Sequence, residues 1–76
     1  MKEVLEVLAK SLVDYPNEVS VTEVADEKGV VLELRVADSD MGKVIGKQGR
    51  IAKAIRTVVK AAASRENKRV VVEIID

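Results

Sequence analysis

The run Gly46-Lys47-Gln48-Gly49 interrupts a stretch whose apolar residues otherwise repeat at helical spacing, and it constrains the fold more than any other feature of the chain. Val44 and Ile45 precede it; Ile51, Ile55, Val58, Val59 and Ala62 follow on one helical face, with Lys53, Arg56 and Lys60 nearly opposite. Glycine is a poor helix former, so two glycines three positions apart predict a loop joining two helices. The first starts at Asp38 or Ser39, both of N-cap type, and reaches Ile45; the second runs from about Gly49 to Ala63. A turn needs only one glycine. A second lets another backbone approach closely, because no Cβ stands in the way.

The flanking patterns supply the rest of the fold. From Lys2 to Val13, residues Val4, Leu5, Leu8, Ala9, Leu12 and Val13 recur at helical spacing, and Asp14-Tyr15-Pro16-Asn17 stops the helix. Val19 to Ala25 and Val30 to Val36 read as strands, the second with Leu32, Leu34 and Val36 inward and Val31, Glu33 and Arg35 outward. Asp26-Glu27-Lys28-Gly29 makes them a hairpin, with Gly29 supplying a positive φ. Ser64 to Lys68 is a polar connection and Val70 to Ile75 a closing strand. The order is α-β-β-α-α-β in a single α+β domain spanning residues 1 to 76. A strand that leaves through helices and returns to its own sheet lies parallel to its start. The expected sheet is therefore three-stranded and mixed, with Val30 to Val36 central and helices covering one face.

Composition closes off most chemistry. With no Cys and no His, the chain lacks disulfides, thiolate nucleophiles, the usual zinc ligands and the commonest general base. No arrangement of its Asp, Glu, Lys and Ser suggests catalysis, and no cofactor or metal is implied. Tyr15 is the only aromatic residue, which excludes nucleic-acid binding dominated by aromatic stacking. No apolar run reaches the roughly 18 residues of a membrane span, and the N-terminus lacks the order of a signal peptide, so a cytoplasmic location is expected.

Formal net charge is zero, but its distribution is lopsided. Residues 1 to 40 carry 4 Lys/Arg and 10 Asp/Glu, residues 41 to 76 carry 9 and 3, and no acid lies between Asp40 and Glu66. A basic field beside an acidic one orients a polyanion onto one face. Two phosphate-binding motifs fail. Gly42-Lys43-Val44-Ile45-Gly46-Lys47 is one residue too short for a Walker A loop, with Gln48 where Ser or Thr would hold magnesium. Gly42, Gly46 and Gly49 likewise miss the dinucleotide spacing.

The loop with its aliphatic borders, set between two strands, resembles the signature of the KH domain. There such a loop joins two helices and holds the backbone of about four nucleotides. The extra helix and strand precede the core, as in the type II KH fold, so the RNA-binding core would be about residues 30 to 76. From end to end, including Met41-Gly42-Lys43, the chain is similar to the small bacterial KhpA (YlqC-type) RNA-binding family.

The resemblance implies a cytoplasmic single-stranded RNA-binding protein, an RNA chaperone or post-transcriptional regulator, linked in some bacteria to cell shape and division. It also implies a homodimer, or a complex with a larger KhpB (Jag)-type KH protein. Lys47 would bring charge to phosphate and Gln48 an adaptable amide, with the amides of Gly46 to Arg50 facing the anion from a helix N-terminus. Lys43 and Arg50 flank the loop and Lys53 is the nearest cation of the following helix. Val44, Ile45 and Ile51 resemble the aliphatic floor or walls of a KH groove, or are simply core. The alternative from another class is a KH-fold protein-interaction or dimerisation module with RNA binding secondary.

Overall fold

The computed structural model describes residues 1–67 and 69–75, and of Lys47 the backbone alone. Helix α1 (Lys2–Leu12) leads through a short 3-10 turn (Pro16–Glu18) to strands β1 (Ser20–Asp26) and β2 (Gly29–Arg35). Helix α2 (Asp38–Arg65) and strand β3 (Val70–Ile75) complete the chain. The sheet order is β1-β2-β3, β1 antiparallel and β3 parallel to β2, so β2 is central and the sheet mixed, as expected. The fold class is α+β with the helices on one face, the type II KH arrangement.

Strand alternation decides which side chains meet the helices. The register places Val21, Leu34 and Ile74 in one row and Leu32 and Val72 in another, all facing inward. Leu32 and Leu34 are completely buried, and burying such a side chain contributes about 1.5–3 kcal/mol relative to leaving it exposed. Leu5 and Ala9 of α1 and Ile55 and Val59 of α2 close the core over them. Helix α1 packs over β1, and α2 over β3.

The hairpin turn follows its sequence. The Asp26 carboxylate accepts the amides of Lys28 and Gly29 at 2.7 and 3.0 Å, an Asx-type turn. Gly29 has φ +149, and a Cβ there would collide with the carbonyl oxygen of Arg69, to which Val30 donates its amide.

Several boundaries differ from the sequence expectation. Strands β1 and β2 are each displaced by one residue, to Ser20–Asp26 and Gly29–Arg35. Neither Asp38 nor Ser39 caps α2: the N-cap is Ala37, without a side-chain cap bond. The acids of the first turn, Asp38 and Asp40, still complement the helix dipole. Helical bonding also continues through the glycine run to Arg65, beyond the expected end at Ala63. The interruption is confined to Gln48 and Gly49, with φ 62 and 69. A right-handed helix does not hold two successive left-handed residues, so α2 consists of two arms, residues 38–47 and 50–65, meeting at a two-residue corner. The expected four-residue loop contracts because Gly46 and Lys47 keep helical bonding to the first arm. Of the polar connection, Ser64 and Arg65 belong to α2 and Lys68 lies outside the described residues.

Candidate nucleic-acid interface

The corner at Gln48-Gly49 opens onto a cleft of about 400 Å³ between α2 and the edge strand β3. Ile45, Gln48, Gly49, Ala52, Lys53 and Arg56 line one side and Ile74 the other. Ala52 and Arg56 lie one turn apart on the second arm, and the corner at Gln48-Gly49 brings Ile45 of the first arm to the same cleft. Ile45 is 57% exposed although aliphatic, and in the cleft it offers an apolar surface flanked by two cations and an amide. Among the described residues no acidic side chain lines the cleft.

The remaining sequence candidates divide. Lys43, Gly46 and Ile51 border a separate recess of about 460 Å³ with Leu12 and Gly42, facing α1. Ile51 also packs against the core, and Val44 is wholly buried, so Val44 is core here and not a groove wall. Arg50 is exposed and borders neither recess. The Lys47 side chain lies outside the described residues.

Lys43 has a partner of its own. Its ammonium donates to the Asp14 carboxylate, and this bond raises its pKa above the ordinary 10.5. Its charge is therefore present throughout the neutral range but directed at α1.

Three cleft residues, Ala52, Arg56 and Ile74, were not among the sequence candidates. The sequence put Arg56 with the cations opposite the apolar face and Ile74 within the closing strand. The signal for Arg56 was its place seven residues after Gly49, two helical turns along the same face. For Ile74 no local signal existed, because only the parallel pairing with β2 brings β3 beside α2.

The two loop glycines differ. Gly49 needs glycine for its positive φ. Gly46 has no positive φ, and an added Cβ would meet nothing within 4 Å. Neither backbone conformation nor internal packing explains glycine there, although in a helix it costs about 0.5–1 kcal/mol relative to alanine.

Behind the corner, the first arm is anchored to α1. Asp40 is completely buried, and its two carboxylate oxygens accept the amides of Asp14 and Tyr15, each at 3.0 Å. That grip holds the chain leaving α1 against the helix that carries the corner. Chemically the site presents cations, an amide and aliphatic surface. Among the described residues no group of three or more His, Cys, Asp or Glu could hold a metal ion. No helix among them is long and apolar enough to cross a membrane.

A family model described as KhpA/KhpB, KH domain, matches residues 2–74. The chain is 73% identical over 75 residues to the RNA-binding protein KhpA of Clostridium acetobutylicum, covering 99% of this chain and 100% of that one. It is 71% identical to the RNA-binding protein KhpA of Clostridium perfringens at the same coverage. With the protein of that name from Aquifex aeolicus it shares 53% identity over 76 residues, 100% of this chain and 96% of the relative. No solved structure gives a significant match.

Proposed function

The chain belongs to the KhpA/KhpB KH-domain family, and from that premise we propose that it binds single-stranded RNA at the α2 corner and the cleft beside it. The observation that carries this reading is the cleft at the Gln48-Gly49 corner, which among the described residues is lined by cations, an amide and aliphatic side chains and by no acid. The RNA backbone passes over Gly46 to Gly49, where Lys47 and the exposed Gln48 meet phosphate. Bases pack against Ile45 and Ile74, with Lys53 and Arg56 neutralising the strand further along. Lys43 and Arg50 add charge at the margins, and Ile51 stiffens the second arm from beneath. These contacts position a strand without reading its bases, so specificity is loose. The protein is not an enzyme; its relatives are named for RNA binding.

A cytoplasmic RNA chaperone or post-transcriptional regulator fits this chemistry, since one KH unit holds few phosphates and releases them readily. A second copy, or a KhpB-type partner, would raise the effective concentration for a second contact. Val58, 45% exposed on the second arm of α2 and absent from the cleft lining, supports such pairing without obstructing RNA.

Fluorescence anisotropy of a labelled single-stranded RNA pool, comparing the native protein with Lys47→Asp/Gln48→Asp, tests the site. The native protein should bind with a salt slope of about −0.7 per phosphate contact. The variant should keep its circular dichroism melt and lose binding. Equal binding by both proteins would refute the loop as the clamp.

A further inference from the structure

We infer that the RNA track does not end at the corner but continues along the α2–β3 seam to a second cationic recess formed by Lys60, Ser64 and Arg69. This inference rests on the RNA-binding reading above and extends its footprint. The recess, about 260 Å³, is lined by Lys60, Ala63, Ser64, Arg69 and Val70. It lies between the same two elements as the cleft at the corner.

Helix α2 runs away from the corner and β3 returns beside it. Ile74 therefore stands in the first recess and Val70 in the second, four residues or about 13 Å apart along the strand. On the helix side the last cation of the first recess, Arg56, and the first of the second, Lys60, are one turn apart, about 6 Å. The two recesses thus form one seam with cations spaced along it.

Its chemistry stays the same from end to end. Strand alternation puts Val70, Val72 and Ile74 on the helix side and Glu73 on the opposite face of the sheet. Among the described residues neither recess is lined by an acid, and both combine exposed cations with aliphatic or small side chains. A neutral apolar partner would leave those cations unpaired, and an acidic protein surface would not need a narrow seam. A single polyanionic strand with hydrophobic bases matches both the charge and the shape.

The test compares a four-nucleotide RNA, the length held by a KH loop, with one of about twelve nucleotides, within the range of single-strand site sizes. Each is titrated by anisotropy against the native protein, Lys60→Glu/Arg69→Glu, and a charge-matched control, Lys2→Glu/Lys10→Glu, on the exposed side of α1. Both cations of the recess are exposed, and Arg69 uses its backbone carbonyl in the fold, so the substitutions spare the core. Melting curves verify this.

The native protein should bind the longer RNA more tightly than the shorter. Lys60→Glu/Arg69→Glu should match it on the short RNA and lose the gain with length, and its salt slope on the long RNA should be shallower by about 1.4, two phosphates at about 0.7 each. The control should retain the gain. If the variant keeps the native length dependence, or weakens both RNAs equally, the extended track is wrong while the corner site stands. If the native protein binds neither RNA, the RNA-binding reading fails, and this inference with it.

Discussion

Gly46 and Gly49 look equivalent in the sequence and do different work in the structure. At Gly49 the backbone is left-handed, so Gly49→Ala should cost about 1–2 kcal/mol. At Gly46 nothing opposes a Cβ, so Gly46→Ala should leave stability unchanged or raise it by about 0.5–1 kcal/mol, while weakening RNA binding. Paired denaturant melts and RNA titrations check both. Loss of stability in Gly46→Ala would mean that the glycine serves the fold and not a ligand. Residue types alone marked both glycines. Which one the backbone needs was not legible, because dihedral angles depend on how the two arms of α2 are held apart. Lys43 teaches the same lesson, since its charge was obvious but its partner lies 29 residues away on Asp14. The lysine's side of that pair is fully charged below pH about 10.5, the reference for an unperturbed lysine, and is lost as pH rises through the raised folded-state value.

Between elements, the decisive contact joins α1 to the first arm of α2 through Asp40. A buried carboxylate is tolerated only when hydrogen-bonded, and this one satisfies two amides at the exit of α1. Asp40→Ala should lower stability by about 2–6 kcal/mol, since it strands two part-buried donors at about 1–3 kcal/mol each. Asp40→Asn keeps one acceptor and should cost less. Urea denaturation of the two variants gives the comparison, and equal small losses in both would show that water replaces the carboxylate. The sequence marked Asp38 and Ser39 as caps and passed over Asp40, because capping propensity is local while this carboxylate serves a turn 25 residues earlier. The strands, by contrast, were legible almost to the residue. Their two-residue alternation is a local pattern that burial on one face enforces.

Across the whole molecule, a formally neutral chain separates its charges, and among the described residues no acid lines the seam between α2 and β3. The ion pairs between described residues, Lys43 with Asp14 and the N-terminus with Glu3, are at the surface and contribute little to stability. Raising salt from about 50 to 200 mM should therefore weaken RNA binding markedly while moving Tm by no more than about 2 °C. Parallel thermal melts and titrations test this separation, and a large drop in Tm would show that charge pairing holds the fold together. By itself the sequence determined the order of elements, the mixed sheet, the interruption of α2 and the segregation of charge. Each is written in local periodicity, in glycine's special backbone or in the simple count of acids and bases. Only the tertiary structure decided that Val44 is core while Ile45 faces the cleft, that Arg56 and Ile74 complete it, and that Asp40 holds the first arm. Those outcomes depend on which elements touch, and the parallel return of β3 beside α2 is a long-range pairing that no local pattern encodes.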